Sequence, residues 1–205
     1  MHRTLKRSLL TFSAVVFLAL HPTTPVAAEA SGMAEILAQI QMIPHDPNPL
    51  SIFPAQLIRL KEYKAPFPLR QYKSLDGTPL AAAMAVHQDG KLHPGVVLAH
   101  GFTETKNQKY VVELSALPHQ NGWHVLAIDF RGHGDSRKLS QAPITFGWKE
   151  ADDILAGARF LRDEAKAMSI ATLGFSMGGR SVVKAMIKDR GQLLHAGISL
   201  SGPIR

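Results

Sequence analysis

Ile170-Ala171-Thr172-Leu173-Gly174-Phe175-Ser176-Met177-Gly178-Gly179 is the stretch on which the fold turns. An apolar, β-rich run from Ile170 to Phe175 ends in a serine set among glycines, and a helical pattern with Val182, Val183 and Met186 on one face follows it. A strand that turns sharply into a helix needs small residues around the turn, because they let the backbone take a strained path that leaves the central side chain exposed. Gly174, Gly178 and Gly179 supply that smallness, and Ser176 puts a hydroxyl at the tip. The helix start adds unpaired N–H groups that would favour a developing negative charge. A serine that merely caps a helix needs none of these three glycines.

Outward from this turn the same alternation repeats. Val96 to Ala99 reads as a buried strand, and Tyr110, Val111, Leu114 and Leu117 mark one face of a helix that stops near Pro118 and Gly122. His124 to Asp129 is the next strand. Ala151, Ile154, Leu155, Ala158 and Leu161 follow a helical spacing with one apolar stripe, and Ala196 to Leu200 is a last strand. Ahead of these, Leu69 to Lys73 and Ala81 to His87 flank the turn pair Asp76-Gly77 as a hairpin. Continuous apolar strands separated by amphipathic helices predict an α/β fold, a mostly parallel sheet with helices on both faces.

With 205 residues, 45% of them hydrophobic, the chain can bury one respectable core, placed here at residues 67–205. Residues 1–28 read as an export signal: a basic head of His2, Arg3, Lys6 and Arg7, an apolar stretch from Leu9 to Leu20, and small residues around Ala27 and Ala28 for cleavage. A twelve-residue, largely apolar stretch falls short of the roughly 20 residues that span a bilayer, so no stable membrane anchor is expected and the location is periplasmic or secreted. Residues 29–66 read as an N-terminal arm, helical around Met33, Ile36, Leu37 and Ile40 and then broken by Pro44, Pro47, Pro49 and Pro54. No cysteine occurs, which excludes disulfides and thiolate metal sites. Losing the leader takes three cations and no acid, so the formal charge falls from +7 to +4. The remaining Lys and Arg are scattered among acids, and nucleic-acid binding is not expected.

Two further loops accompany the serine turn. His100-Gly101-Phe102 directly follows the Val96 to Ala99 strand, and Asp129-Phe130-Arg131-Gly132-His133-Gly134-Asp135-Ser136 follows the next. Together with the serine turn they resemble the α/β-hydrolase family, over roughly residues 69–205. The resemblance implies a serine hydrolase, and Thr145, Phe146, Gly147, Trp148 and Glu150 look most like its esterase and peptidase branch. The implied substrate is a small acyl ester or peptide-like amide that passes through an acyl-enzyme on Ser176. The oxyanion would be held by the backbone N–H groups of Met177 and Phe102, with Gly174, Gly178 and Gly179 shaping the elbow. No cofactor is implied and no metal, because Glu150, Asp152 and Asp153 fall at a helix start, where the dipole favours acids. His100 and His133 read as residues that order their own loops.

The family order is serine, then an acid, then histidine. The 29 residues after Ser176 contain only Asp189 and His195, and neither is placed to reach it. The expectation is therefore a shortened hydrolase that lacks the last strands and final helix. Ala196 to Leu200 would then be an open sheet edge inviting self-association. The competing expectation is a catalytically inactive truncated fold, kept as a binding or pairing module or existing as a gene fragment.

Overall fold

The computed structural model describes residues 67–202 and the backbone of one further strand at 14–18. Seven strands form one sheet: β1 (Ala14–Leu18), β2 (Leu69–Lys73), β3 (Pro79–Ala85), β4 (Gly95–Ala99), β5 (His124–Ile128), β6 (Ile170–Phe175) and β7 (Ala196–Leu200). Among the described residues four helices accompany them: α1 (Lys109–Gln120), α2 (Gly134–Leu139), α3 (Glu150–Ala165) and α4 (Met177–Asp189). The strand order is β1-β7-β6-β4-β5-β3-β2. The four central strands, β7, β6, β4 and β5, run parallel, while β3, β2 and β1 join antiparallel at the flanks.

Both faces of the parallel strands are buried, which is why their sequences read as unbroken apolar runs. Side chains alternate between the faces. Val97, Ala99, Leu126 and Ile128 pack with Ile154, Leu155, Ala158 and Leu161 of α3 and with Val182 and Ala185 of α4. Val96, Leu98, Val125 and Ala127 pack with Val111 and Leu114 of α1 on the other side. The α/β architecture with helices on both faces is thus as expected. The hairpin differs in register: β3 begins at Pro79, because Gly77 N–H closes onto Ser74 O at 2.9 Å and aligns Lys73 with Pro79.

One expectation is overturned. Ala196 to Leu200 is not an open edge: β1 pairs antiparallel along all of it, from Ala14 opposite Leu200 to Leu18 opposite Ala196. An unpaired row of N–H and C=O groups beside an apolar strand takes whichever extended segment can reach it. Here that is the Ala-Val-Val-Phe-Leu run of the leader. In the chain that keeps its leader this edge is therefore covered, and the basis for self-association through it is gone. The remainder of the leader and the arm at 29–66 lie outside the described residues. Among the described residues no helix is long and apolar enough to cross a membrane.

Candidate active site

The serine turn lies at the carboxyl end of β6, in the middle of the sheet. Ser176 has φ 49° and ψ −114°, its side chain makes no capping hydrogen bond, and the residue is exposed between half-buried Phe175 and buried Met177. Such a backbone is disfavoured for any residue with a Cβ and persists only where its surroundings enforce it. They do so tightly. A side chain at Gly174 would overlap the Gly178 carbonyl, and a Cβ at Gly178 would come within 2.5 Å of the carbonyl oxygens of both Ala99 and His100. At Gly179 the obstacle is the Ser199 hydroxyl, 2.7 Å away. Ser176 N–H donates to Leu200 O at 2.8 Å, which ties the turn to β7 as well.

The loop after β4 approaches the same side chain: a Cβ placed on Gly101 would sit 3.5 Å from Ser176 Cβ. Gly101 N–H is already committed, donating to Glu104 Oε2 at 2.7 Å and to the Tyr110 hydroxyl at 3.2 Å. The N–H groups of Phe102 and of Met177, the first residue of α4, take no part in the turn and cap hydrogen bonds around them.

A buried polar frame holds this loop. His100, fully buried, donates from Nδ1 to Gly101 O at 2.7 Å and accepts Phe130 N–H at Nε2, 3.2 Å away. Burial pushes its pKa down to about 4, so it is a neutral loop staple at pH 7. Lys106 is equally buried and donates from Nζ to Asp129 Oδ2 and Asp135 Oδ2, both at 2.6 Å. Burial opposes its charge, but Asp129 and Asp135 outweigh that and hold its pKa above the usual lysine value. Asp129 also accepts the backbone N–H groups of Lys106 at 2.7 Å and Asp135 at 2.8 Å, so it joins the two loops rather than touching Ser176. Lys106 was not singled out from sequence. A lone lysine in a loop carries no periodic signal, and only its two acids, brought in from another loop, reveal it.

The helix-start acids do more than the dipole reading allowed. Asp153 is fully buried and receives Arg131 Nη2 at 2.6 Å and the Ser74 hydroxyl at 2.6 Å. Burial pushes its carboxyl up, with Arg131 opposing, and Arg131 also holds Asp76 well below the usual carboxylate range. Glu150, fully buried, accepts Thr145 N–H, the Thr145 hydroxyl and Gly147 N–H, each at 2.7 Å. Asp152 ion-pairs with Lys188 on α4. No group of three or more His, Cys, Asp or Glu among the described residues is arranged to hold a metal ion.

The other histidines sit elsewhere or are engaged. His133 donates from Nδ1 to Arg131 O at 2.8 Å, and its buried Nε2 meets no partner. His195 Nδ1 accepts Ile170 N–H at 3.2 Å, at the end of β6 remote from Ser176, about 20 Å away along a six-residue strand. Asp189 accepts Leu193 N–H and Leu194 N–H, each at 2.9 Å.

An exposed serine on a strained strand-to-helix turn, at the carboxyl end of a parallel sheet, defines the class. The alpha/beta hydrolase fold family matches residues 94–203, and the chain belongs to it. Among solved structures it is similar to the esterase Pf2001 of Pyrococcus furiosus, with 28% identity and a TM-score of 0.51 over 58% of this chain and 46% of that one. XC6422 of Xanthomonas campestris, described as an a/b serine hydrolase without lid, matches at 21% identity and TM-score 0.51 over 59% and 56%. Est1E of Butyrivibrio proteoclasticus, solved with ferulic acid, matches at 24% and 0.51 over 61% and 49%. At those two identities the likeness is one of fold alone. The chain spans about half the length of the solved structures it matches. No curated protein sequence matches it.

Proposed function

We propose that the chain carries the nucleophile half of a serine hydrolase acting on small acyl esters or amides. Ser176 Oγ would attack the carbonyl carbon, and the oxyanion would accept from Met177 N–H and Phe102 N–H; the ester C–O or amide C–N bond then breaks as the serine ester remains, and the serine proton leaves with the departing alcohol or amine. The observation that carries this reading is Ser176 itself: exposed, at φ 49°, with its hydroxyl unused by the helix it precedes. The 28% identity to an esterase supports the ester side of the reading.

A second reading, an inactive fold kept for binding, is favoured by one specific feature. His100 and His133, the imidazoles on the loops at this edge, both donate from Nδ1 to backbone carbonyls, and neither is hydrogen-bonded to Ser176. A fluorophosphonate probe separates the two. The hydrolase reading expects labelling of the folded protein and its complete loss in Ser176→Ala, whereas a folded protein that never labels supports the inactive fold. Residues 1–28 are proposed as an export signal leading to the periplasm or the medium. N-terminal sequencing of the exported protein checks this, and an intact Met1 would overturn it.

A further inference from the structure

Two phenylalanines stay exposed on the loops that meet around the serine turn: Phe102, next to the Gly101 that approaches Ser176, and Phe146, packed on Phe102. Phe146 holds φ 51°, a left-handed backbone that suits glycine, and its ring is still 52% exposed. A bulky residue in that conformation is an outlier which its surroundings must enforce. The enforcement is visible: the buried Glu150 carboxylate binds the residue on each side of Phe146, through Thr145 N–H and Gly147 N–H. Lys149 N–H adds a bond to the Thr145 hydroxyl at 2.7 Å. Gly147 packs on the first turn of α4, where a Cβ would meet Arg180 Cγ at 3.2 Å and Ser181 Oγ at 3.4 Å. The strained loop is thereby fixed to the helix that begins immediately after Ser176.

Phe102 completes the arrangement from the other side. It follows Gly101, the residue that closes on Ser176, precedes Thr103 at φ 63°, and is 43% exposed. The two rings lie 4.7 Å apart at 41°, and Phe102 meets the edge of buried His133 at 6.1 Å. Trp148, the other exposed aromatic of this loop, makes a cation–π contact with Lys184 Nζ, 4.7 Å from its ring centre, and has no ring contact with Phe102 or Phe146 among the described residues. Strain and a three-bond carboxylate clamp are thus spent on presenting an aromatic ring to solvent beside a nucleophile.

We propose that Phe102 and Phe146 form an aromatic platform that binds the acyl portion of the substrate, and that this portion is itself an aromatic or aryl-alkyl group. The proposal rests on the hydrolase reading for its substrate class, while the platform can be tested without turnover. An aryl acyl group stacks on the tilted ring pair with its carbonyl toward Ser176, and a short alkyl chain gains much less there. Phe146 is a specificity-determining residue, and Glu150 positions it.

The test is binding of methyl 3-phenylpropanoate and of methyl butanoate to the full chain, followed by saturation-transfer NMR. Wild type is expected to bind the phenyl ester about tenfold more tightly, and Phe146→Ala to remove that preference. Phe146→Gly, which relieves the left-handed backbone, is expected to raise the melting temperature while losing the same preference. A lowered melting temperature in Phe146→Gly would mean that the ring is structural and would overturn the proposal. So would an unchanged preference in Phe146→Ala in protein whose Ser176 labels with fluorophosphonate. A phenyl preference that depends on Phe146 in protein that never labels upholds the platform and removes the hydrolase reading instead. Concentration-dependent association abolished by Phe146→Ala, without any ester preference, would assign the ring pair to a second copy of the chain and overturn the platform.

Discussion

The two ends of the parallel sheet treat their polar residues in opposite ways. At the carboxyl ends, where Ser176 sits, the buried charges of the frame are paired across loops: Lys106 with Asp129 and Asp135, Arg131 with Asp153 and Asp76. At the amino ends four imidazoles face one another instead. His87 stacks on His119 at 4.3 Å and on His93 at 4.6 Å, and His124 lies 5.1 Å from His93. Charge pairing fixes geometry, because a buried ion is tolerable only where its partners stand. Stacked imidazoles are joined by no such network of buried ions and respond to protons. The difference teaches that rigidity is concentrated where the strained turn must be held.

The largest effect expected from breaking this contrast is at Arg131. Removing its guanidinium leaves Asp153 buried beside only the Ser74 hydroxyl and one backbone N–H. Arg131→Met should cost about 3–5 kcal/mol of stability, read as a fall in the urea midpoint. Adding Asp153→Leu to it should recover part of the loss, since the stranded charge is then gone. A loss below about 1 kcal/mol would place the pair among surface ion pairs and dissolve the distinction between the two ends.

A smaller effect tests the other end. His124 is pushed down to about 4, first by burial and then by His93, His87 and His119, and His100 at the serine end is likewise down at about 4. An unfolded imidazole takes its proton near 6.5, so between about 6.5 and 4 the unfolded chain binds more protons than the folded one. Stability therefore falls as the pH drops through that window, by roughly 2 kcal/mol by pH 5 for a fully buried histidine. Urea midpoints at pH 7.5, 6 and 5 measure the slope. His124→Gln, which still offers an acceptor to His87 N–H, should remove about half of it. A slope unchanged by that substitution would move the acid sensitivity to the serine end.

What the sequence made legible divides along the same line. The strands, the helices and the serine turn could be read because they rest on local signals: apolar runs, helical periodicity, and glycines at fixed offsets from Ser176. The frame around the turn was not legible. Glu150, Asp152 and Asp153 read as dipole-favoured acids because their partners Thr145, Lys188, Arg131 and Ser74 are fixed only once loops and helices dock. Lys106 gave no signal at all for the same reason. The edge at Ala196 to Leu200 was misread because its partner comes from the far end of the chain. Long-range pairing of this kind has no periodicity to betray it.

The finest test concerns His93, the member of the cluster with a carboxylate. Its Nε2 lies 2.8 Å from Asp89 Oδ1 and its Nδ1 lies 2.6 Å from Gly122 O, so both ring nitrogens face acceptors, a pattern that only the imidazolium satisfies. The hydrogen bond to Asp89 comes first in holding the His93 pKa above 6.5, and the same contact brings Asp89 down to about 2. Asp89→Asn should therefore lower the His93 midpoint in a histidine Cε1–H NMR titration. His124 titrates at about 4, where His93 still carries its proton, and Asp89 is the neighbour that raises it, so His124 should then titrate lower. A group whose folded pKa is raised adds stability that is present below its unfolded pKa and is lost as the pH rises through the folded one. The variant should thus be weakened on the acid side and match wild type above pH 8. If the His93 midpoint stays where it is while His124 moves, the imidazoles couple through ring contact rather than through charge, and the amino end is no longer the proton-sensitive counterpart of the serine end.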